Sequence, residues 1–296
     1  MLNLLLVGYG KMGNIHARSV IKSKNAKLCG IVDPNFNDEL KNINDVRVYN
    51  NIEKVKLDEG IDGVIISSTT NSHYSVVKKI ISYNIPILVE KPLSINLKEV
   101  MTITKECLER KIVLQAGFIE IYNPVVDYLK KNKLANIEEV EIFRHSEPPE
   151  ENRNLENVLY DLAIHDISVF DFLYTLDNVN IIGSKTETYS NKISNAEVNF
   201  TANNIKVNLN VSNRSRNKIR NWKIKTDTDL YELDFLNKNI LIKSKNNTTQ
   251  LINLNKDALP IDTQLNSFIQ RINDNFIDIE HTNSINKCHE FISLIN

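Results

Sequence analysis

The chain has 296 residues, of which 42% are hydrophobic and 25% are charged, and its formal net charge is −1. This length suits one large or two ordinary domains of roughly 100–200 residues each. A near-neutral charge argues against a broad basic face, so we expect neither nucleic acid nor an anionic membrane as a partner. Cys29, Cys107 and Cys288 are far apart, which disfavours a disulfide framework or a zinc site and favours a reducing, cytoplasmic location without a bound metal.

The N-terminal segment MLNLLLVGYGK has a short apolar run with no basic region before it. It is too short to span a membrane, and it leads directly into a glycine motif. We therefore predict a first strand here rather than a signal peptide, and no membrane anchor.

Short apolar runs and helix-like stretches alternate over the first 120 residues. Strands that alternate with helices of this length predict βαβ units and a parallel sheet that is covered on both faces. The predicted strands are Leu2–Val7, Lys27–Val32, Gly63–Ser67, Pro86–Val89 and Ile112–Ala116, and the predicted helices are Gly13–Lys24, Ser72–Tyr83 and Leu97–Arg110.

The pattern changes after the first 120 residues, because most of the later segments resemble antiparallel strands joined by turn-prone pairs such as Asn203-Asn204 and Asn246-Asn247. We predict an α/β chain with two domains, 1–119 and 120–296, of which the second is an α+β domain with a large, mostly antiparallel sheet. The last helix could pack back on the first domain. The predicted strands are Ile137–Arg144, Ile181–Tyr189, Glu197–Ala202, Ile205–Val211, Trp222–Thr226, Tyr231–Phe235 and Ile240–Lys243, with helices at Pro124–Lys131, within Leu155–Thr175, at Thr263–Asn273 and at Ser284–Leu294.

The segment VGYGKMG, from Val7 to Gly13, fits the G-x-G-x-x-G pattern between a predicted strand and a predicted helix. In this pattern the first glycine permits the tight turn, the second lets a pyrophosphate approach, and the third lets helix and strand pack closely. Lys11 and Met12 lie in the same motif, and we include them with Gly8, Gly10, Gly13 and Asp33 in the predicted cofactor site. Asp33 ends the next strand and can accept hydrogen bonds from both ribose hydroxyls, which favours NAD over NADP. The alternative is a simple glycine turn with an ordinary surface aspartate.

The segment SSTTNSHYSV, residues 67–76, follows the predicted strand at Gly63–Ser67 and opens a helix. Its small polar residues could pass beneath a cofactor, so we include Ser68, Thr69, Asn71 and His73 in the predicted cofactor site. Asn71 or Ser72 could equally be a helix N-cap, and a structural role suits His73 better than a catalytic one.

The segment ILVEKPLS, residues 87–94, ends a buried strand in Glu90-Lys91-Pro92. Ligands of open α/β sheets bind at this carboxyl end of the strands. Partial burial there can lower the pKa of a lysine toward the range that suits proton transfer. The alternative for Lys91 is a solvated loop residue.

The segment YDLAIHDISVFDFL, residues 160–173, places Asp161 and His165 four residues apart, on one face of a predicted helix. A carboxylate one turn before a histidine can orient the imidazole, and histidine is a proton carrier near neutral pH. The alternative is a first-turn aspartate and a buried structural histidine. We expect Asp166 to be structural.

Taken together, the GYGKMG fingerprint, Asp33, the Glu90-Lys91-Pro92 tripeptide and the Asp161-x-x-x-His165 pair resemble the glucose–fructose oxidoreductase / inositol dehydrogenase (Gfo/Idh/MocA) family. The resemblance implies a Rossmann domain that binds NAD(P), a second domain with a large open sheet, and a sugar-like substrate between them. It puts Lys91, Asp161 and His165 at the catalytic positions and Glu90 and Lys91 beside the cofactor. It also implies a homodimer or homotetramer formed through the C-terminal sheet.

The segment GFIEIYNPVV, residues 117–126, is similar to the branch of this family that oxidises UDP-N-acetylhexosamines or their uronates at C3, although Ile121 stands where arginine is common. Glu120 and Asn123 are candidate substrate contacts, or alternatively a polar pair at a helix start. Arg144 and Arg153 could pair with a diphosphate. The alternatives are an inositol or simple-sugar dehydrogenase, a reductase of a non-sugar carbonyl or imine, and a non-catalytic NAD-binding sensor.

Overall fold

A computed structural model of the chain describes residues 1–35, 46–148, 156–255, 257 and 259–295. The chain forms two compact units. The first unit comprises Met1–Gly117 and Ile261–Asn286, and the second comprises Phe118–Pro260 and Lys287–Asn296. The first break, after Gly117, lies two residues from the predicted division at 119/120, and residues 261–286 are grouped with the first unit.

The first unit is built on a six-stranded parallel sheet with the order β3-β2-β1-β4-β5-β6. This is the strand order of a Rossmann dinucleotide-binding domain, so the predicted parallel sheet is confirmed. One strand, β3, has no counterpart among the predicted segments. The strands are β1 (Leu2–Val7), β2 (Ala26–Val32), β3 (Arg47–Tyr49), β4 (Gly63–Ile66), β5 (Ile87–Val89) and β6 (Leu114–Ala116).

Helices cover this sheet and share its apolar core. Leu4, Leu6, Ile65 and Leu88 of the strands form one buried cluster with Ala17 and Val20 of α1 and with Leu265, Phe268 and Ile269 of α6. Burial of these α6 side chains explains why residues 261–286 belong to the first unit, since each contributes about 1.5–3 kcal/mol. The helices that lie wholly or partly in this unit are α1 (Lys11–Lys22), α2 (Thr70–Ser82), α3 (Leu97–Glu109), α6 (Pro260–Asn273) and α7 (Ile279–Ser293).

The second unit contains an eight-stranded sheet with the order β14-β13-β12-β11-β7-β10-β9-β8. All neighbours are antiparallel except β7 and β10, which confirms the predicted mostly antiparallel sheet. The strands are β7 (Ile137–His145), β8 (Asn180–Tyr189), β9 (Lys192–Ala202), β10 (Ile205–Ser212), β11 (Ile219–Thr226), β12 (Asp229–Asp234), β13 (Asn239–Ser244) and β14 (Thr249–Asn253), and the helices are α4 (Pro124–Asn132) and α5 (Ile164–Tyr174).

Asparagine forms many of the sharp turns of a chain that has only eight glycines. Asn203 and Asn204 both have positive φ and join β9 to β10 in a two-residue hairpin, as do Ser190 and Asn191 between β8 and β9. A hairpin turn of type I′ requires positive φ at both central residues, and asparagine tolerates it. The turn predicted at Asn203-Asn204 is therefore confirmed.

None of the helices within the described residues has the length and apolarity needed to cross a bilayer.

Candidate functional site

The fingerprint loop between β1 and α1 has the shape that the three glycines predict. Gly8 has φ +91°, and a Cβ there would lie 2.4 Å from the backbone nitrogen of Ser68. A Cβ on Gly13 would lie 2.1 Å from the carbonyl oxygen of Gly8, whereas a Cβ on Gly10 would have no atom within 4 Å. Gly8 and Gly13 therefore close the loop, and Gly10 leaves its backbone open at the N-terminus of α1, where a diphosphate fits.

Asp33 stands at the end of β2 with its carboxylate fixed by two backbone donors. Tyr9 N–H donates to Oδ2 at 2.6 Å, and Asn35 N–H donates to Oδ1 at 2.8 Å. The carboxylate is thereby tied to the fingerprint loop through Tyr9. A carboxylate in this position can accept hydrogen bonds from the ribose hydroxyls of a dinucleotide.

The loop after β4 lies directly against the fingerprint loop. Ser67 Oγ donates to the carbonyl oxygen of Gly8 at 2.8 Å, and Ser72 Oγ donates to Ser68 Oγ at 2.7 Å. Thr69 is the N-cap residue of α2, and Asn71 lies in the first turn of that helix. The capping alternative for Asn71 and Ser72 is therefore wrong, since α2 begins two residues earlier than predicted.

His73 lies inside α2 and is buried, with both ring nitrogens facing backbone carbonyls. Nδ1 lies 2.9 Å from Pro92 O, and Nε2 lies 3.0 Å from Ser68 O. Burial lowers the pKa of His73, although the two carbonyls and Glu90 act in the opposite direction. The ring is occupied by the protein itself, so the structural alternative fits His73 and we remove it from the proposed cofactor contacts.

Glu90 and Lys91 follow β5 at the carboxyl edge of the parallel sheet. Glu90 is only 6% exposed, and its Oε1 lies 2.7 Å from His16 Nε2. A Cβ on Gly117 would lie 2.7 Å from Glu90 Oε2, so the carboxylate is enclosed on that side as well. Lys91 is half-buried, and the Lys91–Pro92 peptide bond is cis. Because Lys91 comes two residues after the end of β5, it lies at the edge where ligands of parallel sheets bind.

His16 was missed by the sequence analysis. It lies on α1, three residues after Gly13, and it is buried against the sheet. A polar residue on the inward face of the fingerprint helix is the only signal that could have drawn attention to it, since its partner Glu90 is 74 residues away.

Asp161 and His165 lie where a π-helical turn, Leu159–Ala163, leads into α5. Both side chains are half-buried, whereas Ala163 and Ile164 between them are buried. The prediction assumed α-helical spacing throughout, but the first of the two residues belongs to the wider turn. Such π-turns occur frequently at functional sites.

A cluster of four charged side chains is packed beside α5 in the second unit. Asp166 pairs with Arg144, and Glu120 lies 3.6 Å from Arg144 and 2.7 Å from Arg220. Trp222 Nε1–H also donates to Asp166 at 2.9 Å. Burial opposes the charged form of Arg144, but Asp166 and Glu120 outweigh it and raise the pKa of Arg144. The pKa of Arg220 is lowered by burial and by the charge of Arg144. The expectation that Asp166 is structural agrees with these contacts.

The expectation for Arg144 needs correction. Its side chain is 1% exposed and its guanidinium is held by Asp166 and Glu120, so it has no surface to offer a diphosphate. Arg144 is buried because side chains alternate between the two faces of β7, and Val140, Ile142 and Arg144 lie on the buried face. Arg153 lies outside the described residues.

Glu120 and Asn123 have the contacts of a polar pair at a helix start. Asn123 Oδ1 accepts from Val125 N–H at 3.1 Å and caps α4, and its Nδ2 donates to Phe235 O at 3.1 Å and to Glu120 Oε2 at 3.2 Å. Both residues are buried. These contacts favour the structural alternative for both.

Within the described ranges, no three His, Cys, Asp or Glu side chains are grouped closely enough to hold a metal ion.

Residues 2–118 match the family model described as the oxidoreductase family with an NAD-binding Rossmann fold, Gfo/Idh/MocA. This match covers the N-terminal part of the chain and confirms, for that part, the family resemblance inferred from the sequence.

Relatives with assigned activities align with larger parts of the chain. UDP-N-acetylglucosamine 3-dehydrogenase of Acidithiobacillus ferrooxidans is 25% identical over 80% of this chain and 75% of its own length. The rhizopine catabolism protein MocA of Rhizobium meliloti is 26% identical over 61% of this chain, and scyllo-inositol 2-dehydrogenase (NAD(+)) of Bacillus subtilis is 24% identical over 60%. The chain spans only 60% and 55% of the last two relatives.

A solved structure of the Acidithiobacillus UDP-N-acetylglucosamine 3-dehydrogenase superposes with a TM-score of 0.88 at 20% identity, covering 99% of this chain and 96% of the other. At this identity the likeness establishes the fold of both units and nothing beyond it.

Proposed function

We propose that the protein is an NAD-dependent dehydrogenase that transfers a hydride between a secondary alcohol of a sugar and nicotinamide. The observation that carries this proposal is the position of Lys91, at the carboxyl edge of a parallel sheet whose neighbouring loops form a dinucleotide cradle. The match of residues 2–118 to the oxidoreductase family model supports the same class of reaction.

In this proposal each residue has a separate task. The open backbone at Gly10 and the N-terminus of α1 hold the diphosphate, and Asp33 holds the ribose hydroxyls. Bound NAD supplies the hydride acceptor. His165, together with Lys91, takes the proton of the substrate hydroxyl, while Lys91 also stabilises negative charge on that oxygen and Asp161 orients His165 or Lys91.

The favoured substrate is a UDP-N-acetylhexosamine or its uronate, and a relative that aligns with 80% of the chain supports it, because that relative is named UDP-N-acetylglucosamine 3-dehydrogenase. The second candidate is an inositol or another simple polyol, which the scyllo-inositol relative supports. Because Arg144 is buried and paired, it is no longer a candidate for binding the diphosphate, and no side chain of the second unit is assigned that role. We also propose a homodimer or homotetramer formed through the eight-stranded sheet.

The first test is a calorimetric titration of the protein, in the presence of NAD, with UDP, UDP-N-acetylglucosamine and myo-inositol, with absorbance at 340 nm followed in the same samples. The proposal expects UDP-N-acetylglucosamine to bind and to form NADH. Turnover of myo-inositol without UDP binding would select the second candidate, and NAD binding without turnover of any sugar would leave only the sensor.

A parallel titration with NADP should give the weaker affinity, because Asp33 opposes a 2′-phosphate.

Lys91→Ala and His165→Ala should each lower kcat by about 10²- to 10⁴-fold, the usual contribution of general acid–base catalysis, with little change in NAD affinity. Lys131→Ala is a matched control, because Lys131 is an exposed lysine of α4 paired with Asp127. Full turnover in the Lys91 or the His165 variant would remove the assigned role of that residue.

A further inference from the structure

The turn that carries Lys91 is held on both sides by buried histidines from the two helices that follow the cofactor loops. His16 of α1 contacts Glu90, the residue before Lys91, and His73 of α2 contacts Pro92, the residue after it. Each histidine is 1% exposed. We propose that His16 and His73 are positioning residues that fix the Glu90-Lys91-Pro92 turn against the two dinucleotide-binding loops and so place the Lys91 amine.

The contact on the α1 side fixes the carboxylate of Glu90. His16 Nε2 lies 2.7 Å from Oε1, while Oε2 lies 3.3 Å from the backbone nitrogen of Lys91. Gly117 closes the remaining side, since any Cβ there would overlap the carboxylate. The Glu90 side chain is thus locked between α1, the end of β6 and the backbone of Lys91, and a shift of α1 must move the start of the turn.

The contact on the α2 side joins two loops through one ring. Nδ1 of His73 lies 2.9 Å from Pro92 O, and Nε2 lies 3.0 Å from Ser68 O. Ser68 in turn lies against Gly8 of the fingerprint loop. A chain of direct contacts therefore runs from the glycine cradle through Ser68 and His73 to the residue that follows Lys91.

A single imidazole cannot donate to two carbonyls unless it is protonated, because its neutral form has one N–H. Burial lowers the pKa of His73, although both carbonyls oppose this, and the neutral ring has a single N–H to donate to one of the two carbonyls. A replacement must therefore match the shape of the ring as well as its donor.

This inference rests on the proposed function only where Lys91 acts on a substrate; the placement of its amine can be measured without turnover. Reductive methylation with ¹³C-formaldehyde labels each lysine as a dimethylamine, and Lys91→Arg identifies the Lys91 NMR signal. His16→Leu and His73→Leu should each shift this signal, because the turn loses one of its two supports. Thr104→Val is the control, since Thr104 is buried in the first unit but bonds to Asn286 rather than to the turn.

Glutamine variants separate positioning from general damage to the fold. His16→Gln keeps an amide N–H of similar reach and should return the Lys91 signal close to its wild-type position. His73→Gln should restore it only in part, because the ring shape is lost. If His16→Leu does not fold, His16→Asn takes its place with the same expected shift, because asparagine is polar but too short to match Nε2. If His73→Leu does not fold, His73→Ser takes its place, because serine is polar but too short to match Nδ1.

The matching kinetic readout is kcat with UDP-N-acetylglucosamine or myo-inositol, whichever is oxidised, against the Kd for NAD. Displacement of a catalytic group by about 1 Å can cost about 10²-fold, so kcat of the leucine variants should fall by that order while NAD affinity changes little. An unchanged Lys91 signal in both leucine variants overturns the inference, as does a loss of NAD affinity that accounts for the whole kinetic effect. If the wild-type protein oxidises neither compound, the proposed function fails, and the Lys91 signal alone decides the positioning role.

Discussion

Both units bury ionisable side chains, but they distribute them differently. In the first unit the buried groups lie on separate loops and helices, and each of His16, His73 and Glu90 has contacts with a neighbouring loop or the backbone. In the second unit Arg144, Asp166, Glu120 and the partly exposed Arg220 form one compact cluster. Buried polarity therefore fixes the positions of loops in the first unit and the position of one helix in the second.

The largest effect of breaking this pattern should come from Asp166→Ala. The substitution leaves two arginines with the single carboxylate of Glu120 and removes the acceptor of Trp222 Nε1–H. Removing one partner of a buried ion pair costs about 3–5 kcal/mol. We expect the free energy of unfolding to fall by that amount. The measurement is unfolding in urea, monitored by the fluorescence of Trp222, the only tryptophan.

The control for that experiment is Lys131→Ala, which removes the exposed pair between Lys131 and Asp127. Such pairs on a helix surface contribute about 0.3–0.5 kcal/mol. If Asp166→Ala costs no more than this control, the cluster has no structural role.

A smaller effect is expected from Gly13→Ala in the first unit. The new methyl group would meet the carbonyl oxygen of Gly8 at 2.1 Å, and overpacking of this kind costs about 1–3 kcal/mol. Gly10→Ala is the matched variant, because a methyl group there meets nothing within 4 Å. Urea unfolding followed by circular dichroism should show a change only for Gly13→Ala, whereas NAD titration should show weaker binding for Gly10→Ala. Equal stability of the two variants would contradict the close contact at Gly13.

The smallest effect, expressed as a change in the free energy of unfolding per pH unit, is expected from His281, a buried histidine of α7. Its Nε2 lies 3.0 Å from the backbone nitrogen of Ala116 and accepts that N–H, which only a neutral ring can do. Burial, with Arg271, lowers its pKa from the ordinary value of 6.5, although Asp278 opposes this. Below pH 6.5 the His281 side chain therefore binds a proton in the unfolded chain but not in the folded chain. Its contribution to stability is fully present above pH 6.5 and is lost as the pH falls.

The expected slope is about 1.4 kcal/mol per pH unit below 6.5. The measurement is the free energy of unfolding between pH 7 and pH 4.5, compared with His281→Gln, because the difference between the two proteins cancels the titration of the carboxylates. Parallel curves for the two proteins would mean that His281 does not carry this dependence.

The sequence was sufficient for the parallel sheet and the glycine cradle, because both depend on local patterns. It missed β3, which is short, terminal in its sheet and poor in alternating apolar residues. It did not reveal that α6 packs on the parallel sheet, since the apolar stripe of a helix does not show which core the helix joins.

The predicted site divides in the same way. The fingerprint glycines and Asp33 lie as expected because neighbouring residues determine their geometry. Arg144 and His16 were misjudged or missed, because their partners lie 22 and 74 residues away in the chain. Whether Lys91, Asp161 and His165 act together stays a prediction for the kinetic experiments.

The π-turn at Leu159–Ala163 has a consequence for comparing this chain with its relatives. Its hydrogen-bonded rings enclose one residue more than those of an α-helix, so a relative with a regular helix here would show a one-residue alignment gap. Each α-helical residue turns the chain by about 100°. Deleting one residue from Leu159–Ala163 would therefore rotate the side chains before the deletion by about 100° relative to His165. If the deleted residue follows Asp161, Asp161 is one of the side chains that rotate.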